Sequence, residues 1–160
     1  MSGASSRNKG AAGEREFNGL LAPVVTQACL EAGCPGIALA RNFAQASAGG
    51  CDLDSLSHLG FAFEVKRHET LQINTWWQQI QVASQKLRAW PVLAYRQNRK
   101  AWTFVVDCRC MWIEAEGRVS MEEEVFLAWF KKILVERLRS FHNMDSIQTE
   151  PQISGQPNQN

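Results

Sequence analysis

The stretch that most restricts what this chain can fold into is Phe61-Ala-Phe-Glu-Val-Lys66. Successive side chains of an extended strand point to opposite faces, so Phe61, Phe63 and Val65 share one face and Ala62, Glu64 and Lys66 the other. The first set demands burial against another element. The second sets a carboxylate and an ammonium side by side on a strand that is otherwise apolar, where charges are seldom buried without a partner. Read alone, Glu-x-Lys is short and common, and it equally describes an ordinary ion pair on a half-exposed strand.

The periodicity around this strand predicts its neighbours. Residues 11–32 carry Phe17, Leu20, Leu21, Val24 and Ala28 at helical spacing, with Pro23 expected to kink or restart the helix and Gly33, Pro35 and Gly36 to end it. Residues 37–41 read as a short strand leading into a small-residue loop through Gly49 and Gly50. Residues 51–56 and 61–66 read as two strands joined by Ser57-His58-Leu59-Gly60. Residues 73–89 are helical, with Ile73, Trp76, Trp77, Ile80, Ala83 and Leu87 on one stripe. Strands at 91–95 and 101–106 follow, linked by the polar turn 96–100. A last helix at 121–141 places Phe126, Trp129, Phe130, Ile133, Arg137 and Phe141 near one face. The order α-β-β-β-α-β-β-α implies an α/β domain with a mixed β-sheet flanked by helices.

With 45% hydrophobic residues the chain can build a core without staples, so residues 1–142 are expected to form one domain. Residues 143–160, rich in Asn, Gln, Ser and Pro, are expected to be a disordered tail. The first ten residues lack the apolar run of a signal peptide, and no stretch reaches transmembrane length. The five cysteines, Cys29, Cys34, Cys51, Cys108 and Cys110, are odd in number and irregularly spaced, which argues for a reducing compartment and a cytoplasmic setting. Cys108-Arg-Cys110 has one intervening residue where structural zinc sites have two or more, and no second close pair accompanies it. The six tryptophans could stack on bases, but most fit predicted apolar faces and are core by default.

The net charge of +1 excludes nothing, but the charge is unevenly distributed. Residues 61–110 hold eight Lys or Arg against three acids, and residues 111–125 hold five Glu against Arg118. A basic middle beside an acidic segment suits a phosphate-binding face backed by a solvated one, although neutral domains show such fluctuations too.

Further acids can join Glu64. Asp52, after Gly49-Gly-Cys, enters the predicted strand beside it, with Asp54 on the same strand face as its rival. Neighbouring carboxylates that cannot cheaply shed water are commonly held by a cation, and oxygen ligands point to Mg²⁺ or Mn²⁺. On the first helix Glu14 projects about 55° from the apolar stripe and Glu16 about 105°, so Glu14 lies nearer the sheet. On the second long helix Gln79 lies closer than Gln78 to the buried stripe.

Taken in order, Lys9-Gly-Ala-Ala-Gly-Glu14-Arg15, Arg41 with Ser47 and a Gly-rich loop, Asp52, Glu64-Val-Lys66 and Trp76-x-x-Gln79 resemble the archaeal-type and phage Holliday-junction resolvases of the PD-(D/E)xK nuclease superfamily. The resemblance spans residues 9–106, and Cys51 stands where the superfamily pattern has Pro. It implies a restriction-endonuclease-like core in which Glu14, Asp52 and Glu64 hold one or two Mg²⁺ (or Mn²⁺) ions. Lys66 would orient or deprotonate the attacking water, and Gln79 would hydrogen-bond the lysine or a metal-bound water. Contacts to DNA are expected from Lys9, Arg15, Arg41, Ser47, Arg67, Arg96, Arg99 and Lys100.

The expected activity is therefore metal-dependent, structure-specific cleavage of branched DNA or four-way junctions by a homodimer. The setting would be the cytoplasm, that of the host if a phage encodes the chain. A nuclease acting on duplex ends or sites, and a catalytically silent DNA-binding module, are the alternatives. For the dimer interface the last helix is one candidate, with packing against its own sheet as the competing use.

Overall fold

The structure is a computed structural model that describes residues 3–39, 52–112 and 114–148. Helix α1 (Gly3–Ala32) buries Phe17, Leu21, Val25 and Ala28 along one face. It runs through Pro23 without the expected restart. Pro23 and Gly19, whose carbonyl the proline leaves without a helical donor, are both exposed, so water can take that bond. Gly33 ends the helix at φ 69°, with the Cys34 N–H donating to the Cys29 carbonyl at 3.0 Å.

Two expected strands are corrected. Residues 34–39 have no regular structure, although Ile37 and Leu39 pack against the core; Ala40, Arg41 and the loop through Cys51 lie outside the described residues. Residues 51–56 were expected to be extended, but of the described residues 52–56 only Leu53 makes a bridge, and a 3₁₀ helix follows at Asp54–Leu59. Leu53, Leu56 and Leu59 recur every third residue and are all buried, which is the period of a 3₁₀ helix and not of a strand. Gly60, at φ 79°, then turns the chain into the sheet.

The described strands are β1 (Phe61–Arg67), β2 (Trp90–Arg96), β3 (Thr103–Asp107) and β4 (Arg118–Glu122), in spatial order β1-β2-β3-β4. Helix α2 (Ile73–Leu87) is the crossover that makes β1 and β2 parallel; β3 and β4 add antiparallel strands. The sheet is thus mixed, as expected, and the α/β fold matches a restriction-endonuclease-like core. Strand β4 was not foreseen: it is an edge strand in acid-rich sequence, with only Val119 and Met121 turned toward the core.

Helix α3 (Glu123–Gln148) starts after Met121 and Glu122, which belong to β4, and runs past Phe141, where it was expected to end. Residues 149–160 lie outside the described residues. Helices α1 and α3 cover one face of the sheet, with Phe126 stacked on Phe104 at 3.8 Å and Phe130 edge-on to Phe61 at 5.1 Å. The Arg137 guanidinium lies over Trp90 at 4.0 Å and donates to the Leu59 carbonyl, which fastens α3 to the start of β1. Of the residues offered for a dimer interface on the last helix, Phe130 and Ile133 are buried in this layer and Trp129 is half-buried, so these cover their own sheet, while Phe141 is exposed. On the other face, α2 packs Trp76, Trp77, Ile80 and Ala83 over Ala62, Leu93 and Val105. No described helix is long and apolar enough to cross a membrane.

Candidate active site

Alternation along β1 divides its side chains as the sequence implied: Phe61, Phe63 and Val65 enter the core beneath α1 and α3, and Ala62 enters the cluster beneath α2. Glu64 and Lys66 share the Ala62 side. Glu64 is only 5% exposed, and the half-exposed Lys66 ammonium is ion-paired with its Oε1.

Asp52 lies along the free edge of β1 although its segment is not a full strand. Its N–H donates to the Phe63 carbonyl at 2.7 Å, and its Oδ2 accepts the Val65 N–H at 2.5 Å. Those two bonds flank Glu64 and hold the carboxylate beside it. Asp52 is 5% exposed. Burial, and next the charge of Glu64, push its carboxyl up to about 7; the Val65 N–H and Lys66 pull the other way, and Glu14 adds to the rise. Glu14, half-buried on α1, is thus close enough for its charge to be felt at Asp52. The structure therefore brings Asp52, Glu64 and Lys66 together, with Glu14 within electrostatic reach of Asp52. For the rival Asp54, the structure shows only that it opens the 3₁₀ helix.

Among the described residues no three His, Cys, Asp or Glu side chains form a ready-made metal cage. The donor set nonetheless suits a hard divalent cation: two buried carboxylates repel each other, a third acid is nearby, and all donors are oxygen. Mg²⁺ commonly takes one or two carboxylates and completes its shell with water and phosphate oxygens. The ligands would be Asp52 and Glu64, with Glu14 at the rim.

Gln79 and Gln78 are both exposed on α2, and the choice between them stays open. The side chain of Lys9, and all of Arg41 and Ser47, lie outside the described residues. Arg15, Arg99 and Lys100 are exposed, the last two on the β2–β3 turn, where Arg99 adopts φ 59°. That turn is bound to the exit of β1: the His68 N–H donates to the Arg96 carbonyl at 3.1 Å and the Asn98 N–H to Glu69 Oε1 at 2.9 Å. Arg67 and Arg96, expected to contact DNA, are both ion-paired to Glu16, at 3.3 and 2.8 Å. Sequence reasoning missed that role for Glu16, because its offset of about 105° from the apolar stripe set it aside in favour of Glu14. A groove of about 460 Å³ lined by Trp77, Gln81, Asp107 and Arg118 includes none of the site acids.

A mixed sheet with a buried acid pair and a lysine on its edge strand is the framework of the PD-(D/E)xK nucleases. A family model described as "Phage putative PDDEXK endonuclease" matches residues 5–148, and the chain belongs to that family. No curated protein and no solved structure gives a match.

Proposed function

We propose that this chain is a Mg²⁺- or Mn²⁺-dependent endodeoxyribonuclease that cuts branched DNA, with the four-way junction as its substrate. The observation that carries the metal-dependent reading is the buried Asp52–Glu64 pair with Lys66 beside it. The junction preference rests on the resemblance of the motif series to the resolvases. A bound divalent ion supplies an acidified water and neutralises charge building on the scissile phosphate. The residues supply the rest. Asp52 and Glu64, held by the backbone of β1, keep two carboxylates fixed in a site from which water is largely excluded. As its ammonium, Lys66 places a cation where a phosphate oxygen gains charge and aligns the attacking water; as its neutral amine it would instead accept that water's proton. Arg15, Arg99 and Lys100 offer exposed charge to flanking phosphates.

Two symmetric cuts in a four-way junction call for two sites related by a two-fold axis, so the active species is proposed to be a homodimer. The test is nicking of a synthetic four-way junction beside linear duplex, flap and single strand, using wild type and Glu64→Ala in Mg²⁺, Mn²⁺, Ca²⁺ and EDTA. Paired cuts confined to the junction, absent in EDTA and with Glu64→Ala, are expected; Ca²⁺ is expected to allow binding with little cutting. Full activity in EDTA sinks the metal reading, and equal cutting of linear duplex sinks the junction preference. Junction binding without cutting in either metal leaves a silent binding module.

A further inference from the structure

Glu16 sits two residues beyond Glu14 on α1 and bridges two neighbouring strands. Its Oε2 meets Arg67 Nη1 at 3.3 Å and its Oε1 meets Arg96 Nη1 at 2.8 Å; Arg67 and Arg96 are direct register partners at the ends of β1 and β2. Both arginines are anchored from their other sides. Arg67 Nε donates to Asn98 Oδ1 at 3.1 Å, and the Arg96 guanidinium lies 5.3 Å from the ring centre of the buried Trp102. The Arg96 side chain is 15% exposed and its Nε is buried without a hydrogen-bond partner, so this guanidinium leans on Glu16 for charge compensation.

The second, independent observation is Gly13. A methyl group at Gly13 would come within 2.9 Å of the Arg67 Cβ, closer than carbon atoms pack without something moving. Helix α1 is therefore seated directly on the residue that follows Lys66, and Glu14 lies between that seat and the Glu16 bridge.

We infer that Glu16 is a positioning residue for the metal site: by clamping α1 to Arg67 and Arg96 it fixes where Glu14 meets Asp52 and Glu64. This rests on the reading of Glu14 as a metal-facing acid. It also makes Arg96 a part of the clamp and not a phosphate contact. The competing use of the same geometry is that the Glu16 carboxylate occupies a seat meant for a DNA phosphate, and the two predict different results.

The test is calorimetric titration of the full chain with Mn²⁺, beside junction affinity measured in Ca²⁺, for wild type, Glu14→Ala, Glu16→Gln and Gly13→Ala. The clamp predicts that Glu16→Gln and Gly13→Ala each weaken Mn²⁺ binding about tenfold, the usual consequence of losing a residue that orients a ligand. Junction affinity is expected to stay the same, and each variant is expected to keep a cooperative melt. Should Glu16→Gln not fold, Gly13→Ala carries the test. Unchanged Mn²⁺ affinity in Glu16→Gln overturns the inference, and tighter junction binding with it assigns Glu16 to the phosphate seat. Unchanged affinity in Glu14→Ala overturns it as well while leaving the nuclease reading intact. Wild type that binds no Mn²⁺ overturns the proposed function itself.

Discussion

On the side of β1 that faces α1 and α3, Phe61 and Phe63 are wholly buried among rings of Phe17, Phe130 and Trp90, whereas beside the same strand the carboxyl groups of Asp52 and Glu64 are buried next to each other. The first arrangement stabilises the fold by removing apolar surface from water. The second costs stability, because burial and mutual repulsion both oppose the ionised pair. One residue of offset along a strand separates a face that holds the protein together from one that only a cation or a substrate rewards. Polar groups kept at such a cost mark where the chemistry lies.

The sharpest way to break this contrast is to remove the charged groups singly. Glu64→Ala and Lys66→Ala are expected to lower the cleavage rate by about 10³-fold or more, since each group acts mainly in the transition state. Junction affinity should stay near wild type. A rate within tenfold of wild type in quantitative single-turnover assays would place the chemistry elsewhere.

On the aromatic face the effect should fall on stability instead. Phe63 lies 5.7 Å, centre to centre, from both Phe17 and Phe130, so Phe63→Ala opens a cavity in the ring cluster and should cost about 3–5 kcal/mol in denaturant unfolding. Below its unfolding midpoint the surviving folded fraction should cut with a normal rate per molecule. Reduced rate without reduced stability would show that the two faces are not separable.

Smaller, and opposite in sign, is the effect of Asp52→Asn. The carboxamide oxygen can still accept the Val65 N–H, but repulsion of Glu64 is gone, so the metal-free variant should melt higher than wild type and gain little from added Mg²⁺. The same asymmetry governs pH. The folded-state value of Asp52, about 7, lies above its ordinary value of 3.8, so its contribution to stability is fully present below about pH 4 and is lost as pH rises through 7. Asp107, held low by Arg109, works the other way, but its contribution is already complete above pH 4. Metal-free protein should therefore lose stability between about pH 4 and 7, by on the order of 1 kcal/mol per unit, and saturating Mg²⁺ should flatten the slope. A metal-free melting temperature that is level or rising across that range would show that Asp52 is not strained in this way.

The contrast also explains what could be read from sequence. The two faces of β1 were legible because alternation is a property of the backbone, and the Glu64–Lys66 pairing followed from it. The 3₁₀ helix at Asp54–Leu59 was not, since Leu53, Leu56 and Leu59 fit a short apolar run of either kind until their burial is seen. Asp52 nevertheless reached its place beside Glu64, because two bonds to the β1 backbone sufficed where a full strand was expected. Strand β4 was hidden by its edge position, where polar side chains face water and only two residues report the core. The Glu16 bridge joins residues from three elements, a juxtaposition that no local pattern contains.

The smallest expected effect sharpens the division among the arginines and lysines themselves. Arg99 and Lys100 are exposed on the β2–β3 turn, whereas Arg96, only a few residues away, is largely buried between Glu16 and Trp102. Each phosphate contact contributes about 0.9 to the slope of log affinity against log salt, so Arg99→Ala and Lys100→Ala should each flatten that slope by about this amount if each meets one phosphate. Stability should hardly change, because exposed cations contribute little to it. Arg96→Ala should do the reverse, lowering the melting temperature through the lost bridge and the lost stacking on Trp102 while leaving the salt slope as it is. Fluorescence anisotropy of a labelled junction between 50 and about 300 mM salt, a range across which phosphate contacts lose affinity steeply, resolves these slopes. If Arg96→Ala flattens the slope as much as Lys100→Ala does, Arg96 must leave Glu16 for a phosphate on binding, and buried and exposed cations here would belong to one DNA-contacting set.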